Sequence, residues 1–244
     1  MKRDDVLKFA ELYNLSGNVE KVKIVSDGTN LSTNFVTEDK TLFGMLVYNN
    51  IKFEAGEYGV HDTAQLRKML TILDEEISVE VNRLSDNRVV GLTFSDKNTE
   101  SFVMLADLSI IPKAPLGVNT GKYDLEISVD DEFVERYVAA KNALSDVSTF
   151  TFLPNAKTGK VEMIIGHSNI NTNRIKLEVK TVGGKNTPEK EVSFNANLLK
   201  EILIKNRGSA GTLMKVNTSG LAHLHFKTAD YVADYYLLKA SNLS

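Results

Sequence analysis

In VDDEFVERYVAAKNALSD, Val129 to Asp146, apolar residues recur at helical spacing. At about 100° per residue, Phe133, Val134, Tyr137, Ala140 and Leu144 gather on one side, with Arg136, Ala139, Asn142 and Ala143 opposite. The same periodicity predicts four helices, over residues 2–13, 62–73, 130–144 and 197–206. Asp130, Asp131 and Glu132 stand in or before a first turn, where unpaired N–H groups and the helix dipole favour negative charge. Between the helices the period falls to two. EKVKIVSDGTNLSTNFV alternates around an Asp27-Gly28 turn and ISVEVNRLSDNRVVGLTF around residues 85–87. TFTFLPNAKTGKVEMIIG and LMKVNTSGLAHLHF repeat the pattern, with turns at Thr158-Gly159 and Ser219-Gly220.

The second half restates the first. DTAQLRKML aligns with NANLLKEIL at a shift of 133 residues (62 to 195), setting Leu66 on Leu199 and Arg67 on Lys200. Phe94 meets Phe226 at a shift of 132 (94 to 226); earlier in the chain Phe9 meets Tyr137 and Lys8 meets Arg136 at a shift of 128 (9 to 137). An ordered series of such matches predicts two copies of one domain, over residues 1–111 and 123–244. The linker, residues 112–122, sits in a stretch with two of the four prolines and two glycines. Two helices per copy beside many strands predict an α+β fold, with helices on one face of an antiparallel sheet.

Composition narrows the function. The 244 residues suffice for two domains with cores of their own. Hydrophobic residues make up 42% and charged residues 25%, and no run of eighteen apolar residues could cross a bilayer. The N-terminus, MKRDDVLKFAELYN, lacks the apolar stretch of a secretory leader, so a cytoplasmic, non-secreted protein is expected. Without cysteine there is no disulfide framework, thiolate nucleophile or Cys-type zinc site. With 29 basic and 32 acidic residues the net charge is -3, so a polyanionic partner must be met by a local patch.

The helices offer one. With the first-turn acids set aside, Lys8, Arg67, Lys68, Arg136, Lys141, Lys200, Lys205 and Arg207 face only Glu11, Glu135 and Glu201. Helices lining one surface would make it positive and able to hold a phosphate backbone without reading sequence. The alternative is a set of solvated lysines and arginines serving solubility.

LKFAELYN followed by VEKVKIVSDG, GVHDTAQLRKMLTIL, ESFVMLADLSI before the linker, and DYYLLKAS at the end make the chain resemble the sliding clamps of DNA replication. The likeness is to the proliferating-cell-nuclear-antigen type, particularly the bacteriophage clamps, and covers almost the whole chain through order, spacing and duplication. It implies a homotrimeric ring with helices inside and sheet outside, without chemistry or cofactor of its own. Such a ring encircles double-stranded DNA and tethers a DNA polymerase after an ATP-driven clamp loader has opened and closed it. The eight helix bases would then face the phosphates, positioning without specifying.

By position, the resemblance also implies subunit contacts through edge strands. These would be Ala106, Asp107, Leu108, Ser109, Ile110 and Ile111 in the first domain, and Arg174, Ile175, Lys176, Leu177, Glu178 and Val179 in the second. Either segment could instead lie inside its own sheet. A partner peptide would insert beneath the linker, against Leu116, Val118, Tyr236 and Leu238, whose alternative role is core packing. The tail, KASNLS, lacks the proline of cellular clamps. A duplicated DNA-binding or scaffold module without a ring, and a metal-dependent nuclease, are the rival functions.

Other chemistry is weakly signalled. His223 and His225, two apart on a predicted strand, could share a metal, but no third ligand is evident nearby. GGKNT at residues 183–187 lacks the earlier glycine and following helix of a phosphate loop. Asp74, Glu75 and Glu76 are adjacent acids at a helix end and cannot all converge on one ion. No metal or cofactor is expected.

Overall fold

The computed structural model describes residues 1–115, 117–118, 120–155, 160–168, 170, 172–184, 190–209 and 211–240. The chain divides into two compact units. One holds Met1–Glu38, Gly44–Leu116 and Ala229–Ala233; the other holds Asp39–Phe43, Gly117–Thr228 and Asp234–Ser244.

The first unit runs α1 (Arg3–Asn14), β1 (Val22–Ser26), β2 (Leu31–Val36), β3 (Leu42–Tyr48, for most of its length), β4 (Gly56–Val60), α2 (Thr63–Leu70), β5 (Ser78–Arg83), β6 (Val89–Ser95) and β7 (Glu100–Met104). Strands β4, β1, β2 and β3 lie side by side in that order, and β5, β6 and β7 form a separate antiparallel sheet. The alternation read in the sequence becomes alternation in burial, inner residues of β1 and β2 facing the helices. Val6, Phe9 and Tyr13 of α1, Leu66 of α2, Ile24 and Leu31 of the first sheet, and Leu92 and Phe94 of the second surround one small void of about 20 Å³. The helices thus share a single close-packed core with both sheets of this unit.

The second unit runs β8 (Leu125–Val129), α3 (Asp131–Ala143), β9 (Thr149–Asn155), β10 (Lys160–Ile165), β11 (Ile175–Glu178), β12 (Thr181–Gly184), β13 (Val192–Asn195), α4 (Ala196–Lys205), β14 (Thr212–Asn217), β15 (Leu221–Lys227) and β16 (Tyr231–Leu238, for most of its length). Its strands form two groups, in the orders β12, β8, β14, β15, β16 and β11, β10, β9, β13. The core is aromatic: Phe150 lies 5.8 Å from Tyr137 and 5.6 Å from both Phe152 and Phe194, centroid to centroid. The Tyr137 hydroxyl, buried with its ring, donates to the Ala196 carbonyl at 3.1 Å and joins α3 to the start of α4.

The two units are similar, each with two helices on antiparallel sheets. Leu66 and Leu199, Phe94 and Phe226, and Phe9 and Tyr137 are each buried in both members of the pair. Even the strand before the first helix of the second copy has a counterpart: Lys2 bridges Glu76, Arg3 N–H donates to the Glu75 carbonyl at 2.8 Å, and Ile77 N–H to that of Met1 at 2.9 Å.

Three helices start on the capping residues the sequence supplies. Asp62 accepts from Gln65 N–H at 2.7 Å and Asp130 from Phe133 N–H at 2.8 Å. Asn195 accepts from Asn197 N–H at 2.9 Å and Leu198 N–H at 3.0 Å. Helix α2 ends three residues before the expected limit. Leu73 N–H closes a tight turn on the Leu70 carbonyl at 3.2 Å, and its side chain enters the core instead of continuing the helical ladder.

Two turns match their glycines. Gly28 and Gly220 take φ of 100° and 112°, a left-handed region that side chains disfavour. The Thr158-Gly159 turn lies outside the described residues.

Candidate nucleic-acid interface and partner surfaces

Burying the apolar stripes leaves the opposite sides of the helices to their charges. Lys68, Arg136 and Arg207 are exposed, while Lys8, Arg67, Lys200 and Lys205 are half-buried. Lys141 departs from the expected basic face. Its side chain is buried, and Nζ donates to the Leu144 carbonyl at 3.1 Å and the Ser145 carbonyl at 2.9 Å. Burial and the neighbouring Lys200 charge lower its pKa. An ammonium spent on the carbonyls at a helix end closes α3 and is withdrawn from the surface.

Within each unit, the arginines on or beside the helices are tied to acids. Arg67 on α2 reaches α1, where Nη2 lies 2.9 Å from Glu11 Oε1 and Nη1 3.4 Å from Asn14 Oδ1. Arg136 stands 3.4 Å from Glu132, one turn earlier on α3. Arg207, just past α4, reaches Glu135 on α3 at 3.2 Å.

The two segments expected as edge strands behave differently. Residues 106–111 form no strand: Asp107 accepts from Ser109 N–H at 2.8 Å and starts a short 3-10 turn, Leu108–Ile110. The strand just before them, β7, lies at one edge of the β5–β7 sheet, and its Phe102 and Met104 are 49% and 64% exposed. Residues 174–179 do hold an outermost strand, β11, carrying Lys176, which pairs with Glu162 at 2.7 Å. Open edges of this kind present a row of N–H and C=O groups to another chain.

Leu108, Ser109 and Ile111 line a groove of about 650 Å³ with Val25, Ser32 and Asn34, and the Lys23–Glu57 ion pair at 2.7 Å lies within it. This groove escaped sequence reading because its walls come from strands and linker far apart in the chain.

Tyr236 is likewise not an open pocket wall. It is 7% exposed and clamped between Phe43 (centroids 5.0 Å, planes 9° apart) and His223 (4.4 Å, 4°). Tyr123 continues the row at 6.2 Å from His223, with Lys215 Nζ 5.9 Å from its centroid. Leu238 is 39% exposed and Val118 half-buried, while Leu116 lies outside the described residues.

The histidine pair finds a third neighbour that spacing alone did not reveal. Asp234 Oδ1 lies 2.7 Å from His223 Nε2 and 2.9 Å from His225 Nδ1. A carboxylate accepts only, so each of those nitrogens carries the proton. Burial acts to raise the Asp234 pKa, but the hydrogen bonds from both imidazoles outweigh it and hold the pKa below the usual range. No group of three acids, histidines or cysteines among the described residues is arranged to hold a metal. Asp74 and Glu75 serve local structure: Asp74 N–H donates to Asp96 at 2.7 Å, and the Glu75 carbonyl accepts from Arg3. Of GGKNT, Gly183 and Gly184 belong to β12, and residues 185–187 lie outside the described residues. No helix among the described residues is long and apolar enough to cross a membrane.

Two helices and antiparallel sheets in each of two similar domains define the clamp fold of the proliferating-cell-nuclear-antigen type. The chain is similar to the Entamoeba histolytica proliferating cellular nuclear antigen, with a TM-score of 0.70 at 11% identity over 99% of this chain and 97% of that one. It is similar to A. fulgidus PCNA, solved with the C-terminal region of FEN-1 bound, with a TM-score of 0.68 at 17% identity over 100% and 98%. A PCNA2–PCNA3 complex from Sulfolobus tokodaii gives 0.68 at 12% over 98% and 97%. No family model matches, and no curated protein does.

Proposed function

We propose that the protein is a sliding clamp, a non-enzymatic processivity factor that encircles duplex DNA and tethers a DNA polymerase. One observation carries this reading: on a clamp fold, both sequence copies present cations on or just past their helices, Arg67 and Lys68 in the first, Arg136, Lys200 and Arg207 in the second. A basic helical layer around a polyanionic rod suits backbone contact without sequence readout. The domain limits 1–111 and 123–244 and the linker between them belong to the same reading.

Self-association as a homotrimer would pair β7 of one copy with β11 of the next, burying Phe102 and Met104 and removing two open edges. The Sulfolobus neighbour is itself a complex of two such chains. The groove of about 650 Å³ beside Leu108 and Ile111 is the place for a partner peptide, and exposed Leu238 is a separate candidate contact. The FEN-1 segment bound by the A. fulgidus neighbour supports peptide capture as a property of this fold. An ATP-driven loader, a bacteriophage-type replication system and a cytoplasmic setting complete the proposal.

Retention on DNA tests it. Protein loaded on a nicked circular duplex should stay through gel filtration and be lost once a single cut makes the DNA linear. Equal retention on both forms would rule out topological linkage.

A further inference from the structure

Resting on the clamp reading, the geometry points to Glu11, Glu132 and Glu135 as residues that mask the DNA-facing arginines and so set the strength of the grip. All three arginines assigned to the DNA face are held by helix carboxylates of their own unit: Arg67 by Glu11 at 2.9 Å, Arg136 by Glu132 at 3.4 Å and Arg207 by Glu135 at 3.2 Å. The arrangement recurs across the duplication. In each copy an arginine on or just past the second helix reaches an acid on the first, Arg67 to Glu11 and Arg207 to Glu135. These pairs join different positions of the repeat, so the cross-helix pairing is common to both copies although the residues are not aligned.

A phosphate therefore competes with an internal carboxylate for the charge of each guanidinium. At Arg67 and Arg207 the exchange trades one charge-assisted hydrogen bond for another, so the net gain per contact is small. The released carboxylate also takes up a cation from solution, offsetting part of the counterion release that drives association with DNA. Both effects keep contacts weak and short-lived, as movement along the duplex requires. A purely structural role, stapling one helix to its neighbour, would leave DNA affinity untouched.

The test compares full-length variants by fluorescence anisotropy on a short linear duplex of mixed sequence across a salt series. E11Q/E132Q/E135Q keeps side-chain shape and a hydrogen-bond acceptor while removing the competing charge. E38Q/E54Q/E80Q makes the same charge change at exposed acids outside the helices and frees Arg83 from its Glu54 partner. The helix triple should bind at least about tenfold more tightly than the control triple at low salt, with a log–log salt slope steeper by up to about 2.7. R67A/R136A/R207A separates the two levels of the proposal. If those arginine changes weaken binding but the helix triple gains no more than the control, masking is overturned and the DNA-facing assignment stands. If neither the arginine nor the glutamate changes move affinity, both are overturned.

Discussion

The ring of Tyr236 lies flat on that of His223, centroids 4.4 Å apart and planes 4° apart. Phe43 covers the other face of Tyr236 at 5.0 Å, so an aromatic side chain on the outer side of a strand ends up buried. Removing it leaves a cavity between two rings: Tyr236→Ala should cost about 3–5 kcal/mol in urea denaturation. Leu238→Ala, at a site 39% exposed, should stay within about 1 kcal/mol. If Leu238 meets a partner, the same change lowers capture of a polymerase-derived peptide in calorimetry without moving the unfolding midpoint.

Phe102 and Met104 lie on β7, an outermost strand of their sheet, where Phe102 rests over Gly91 yet stays 49% exposed and Met104 is 64% exposed. Phe102→Ala should weaken each self-contact by at least about 2 kcal/mol, roughly thirtyfold in association constant. Sedimentation equilibrium over a wide concentration range would show the shift to smaller species. An unchanged mass distribution would remove β7 from the interface.

Helices and hairpins were legible where one face of a periodic segment meets the core, because burial enforces the period. Lys141 shows the same wheel misapplied. At about 100° per residue it lies about 80° from Phe133, between Tyr137 at about 40° and Val134 at about 100°, on the apolar side. Counted by charge, it joined the basic face; counted by angle, it was already inside. Residues 106–111 misled in another way. Ala-Asp-Leu-Ser-Ile-Ile alternates like a strand, but an aspartate whose side chain can satisfy an N–H two residues on favours a turn. Arg67–Glu11 and the groove at Leu108 join residues distant in the chain, and no local pattern encodes such contacts.

The cap at the start of α3 should make stability depend on acid. Asp130 is held below the usual carboxylate pKa first by the Lys180 ammonium at 2.9 Å, then by Phe133 N–H. A depressed folded-state pKa contributes stability that is fully present above the unfolded value, near 3.9, and lost as pH falls through the folded one. Asp130→Ala should cost about 1 kcal/mol at neutral pH. Asp130→Asn keeps a capping oxygen, so its stability should fall less than that of the parent between neutral pH and pH 3. Parallel unfolding midpoints for parent and Asn variant across that range would refute the assignment.

Lys141 on α3 and Lys68 on α2 provide a paired comparison, one cation buried and the other exposed. Replacing Lys141 by methionine keeps the stem but strands the carbonyls of Leu144 and Ser145, which accept from Nζ at 3.1 and 2.9 Å. Loss of those partners should lower stability by about 1–3 kcal/mol, partly relieved because the buried charge itself is costly. DNA affinity of the folded protein should not change, since this ammonium never faces solvent. Lys68→Ala should do the reverse, leaving the unfolding midpoint in place while reducing the log–log salt slope of DNA binding by about 0.9. Should Lys141→Met weaken DNA binding as much as Lys68→Ala at matched folded fraction, α3 must open to expose Lys141 on DNA, and its role as a fixed helix closure would be wrong.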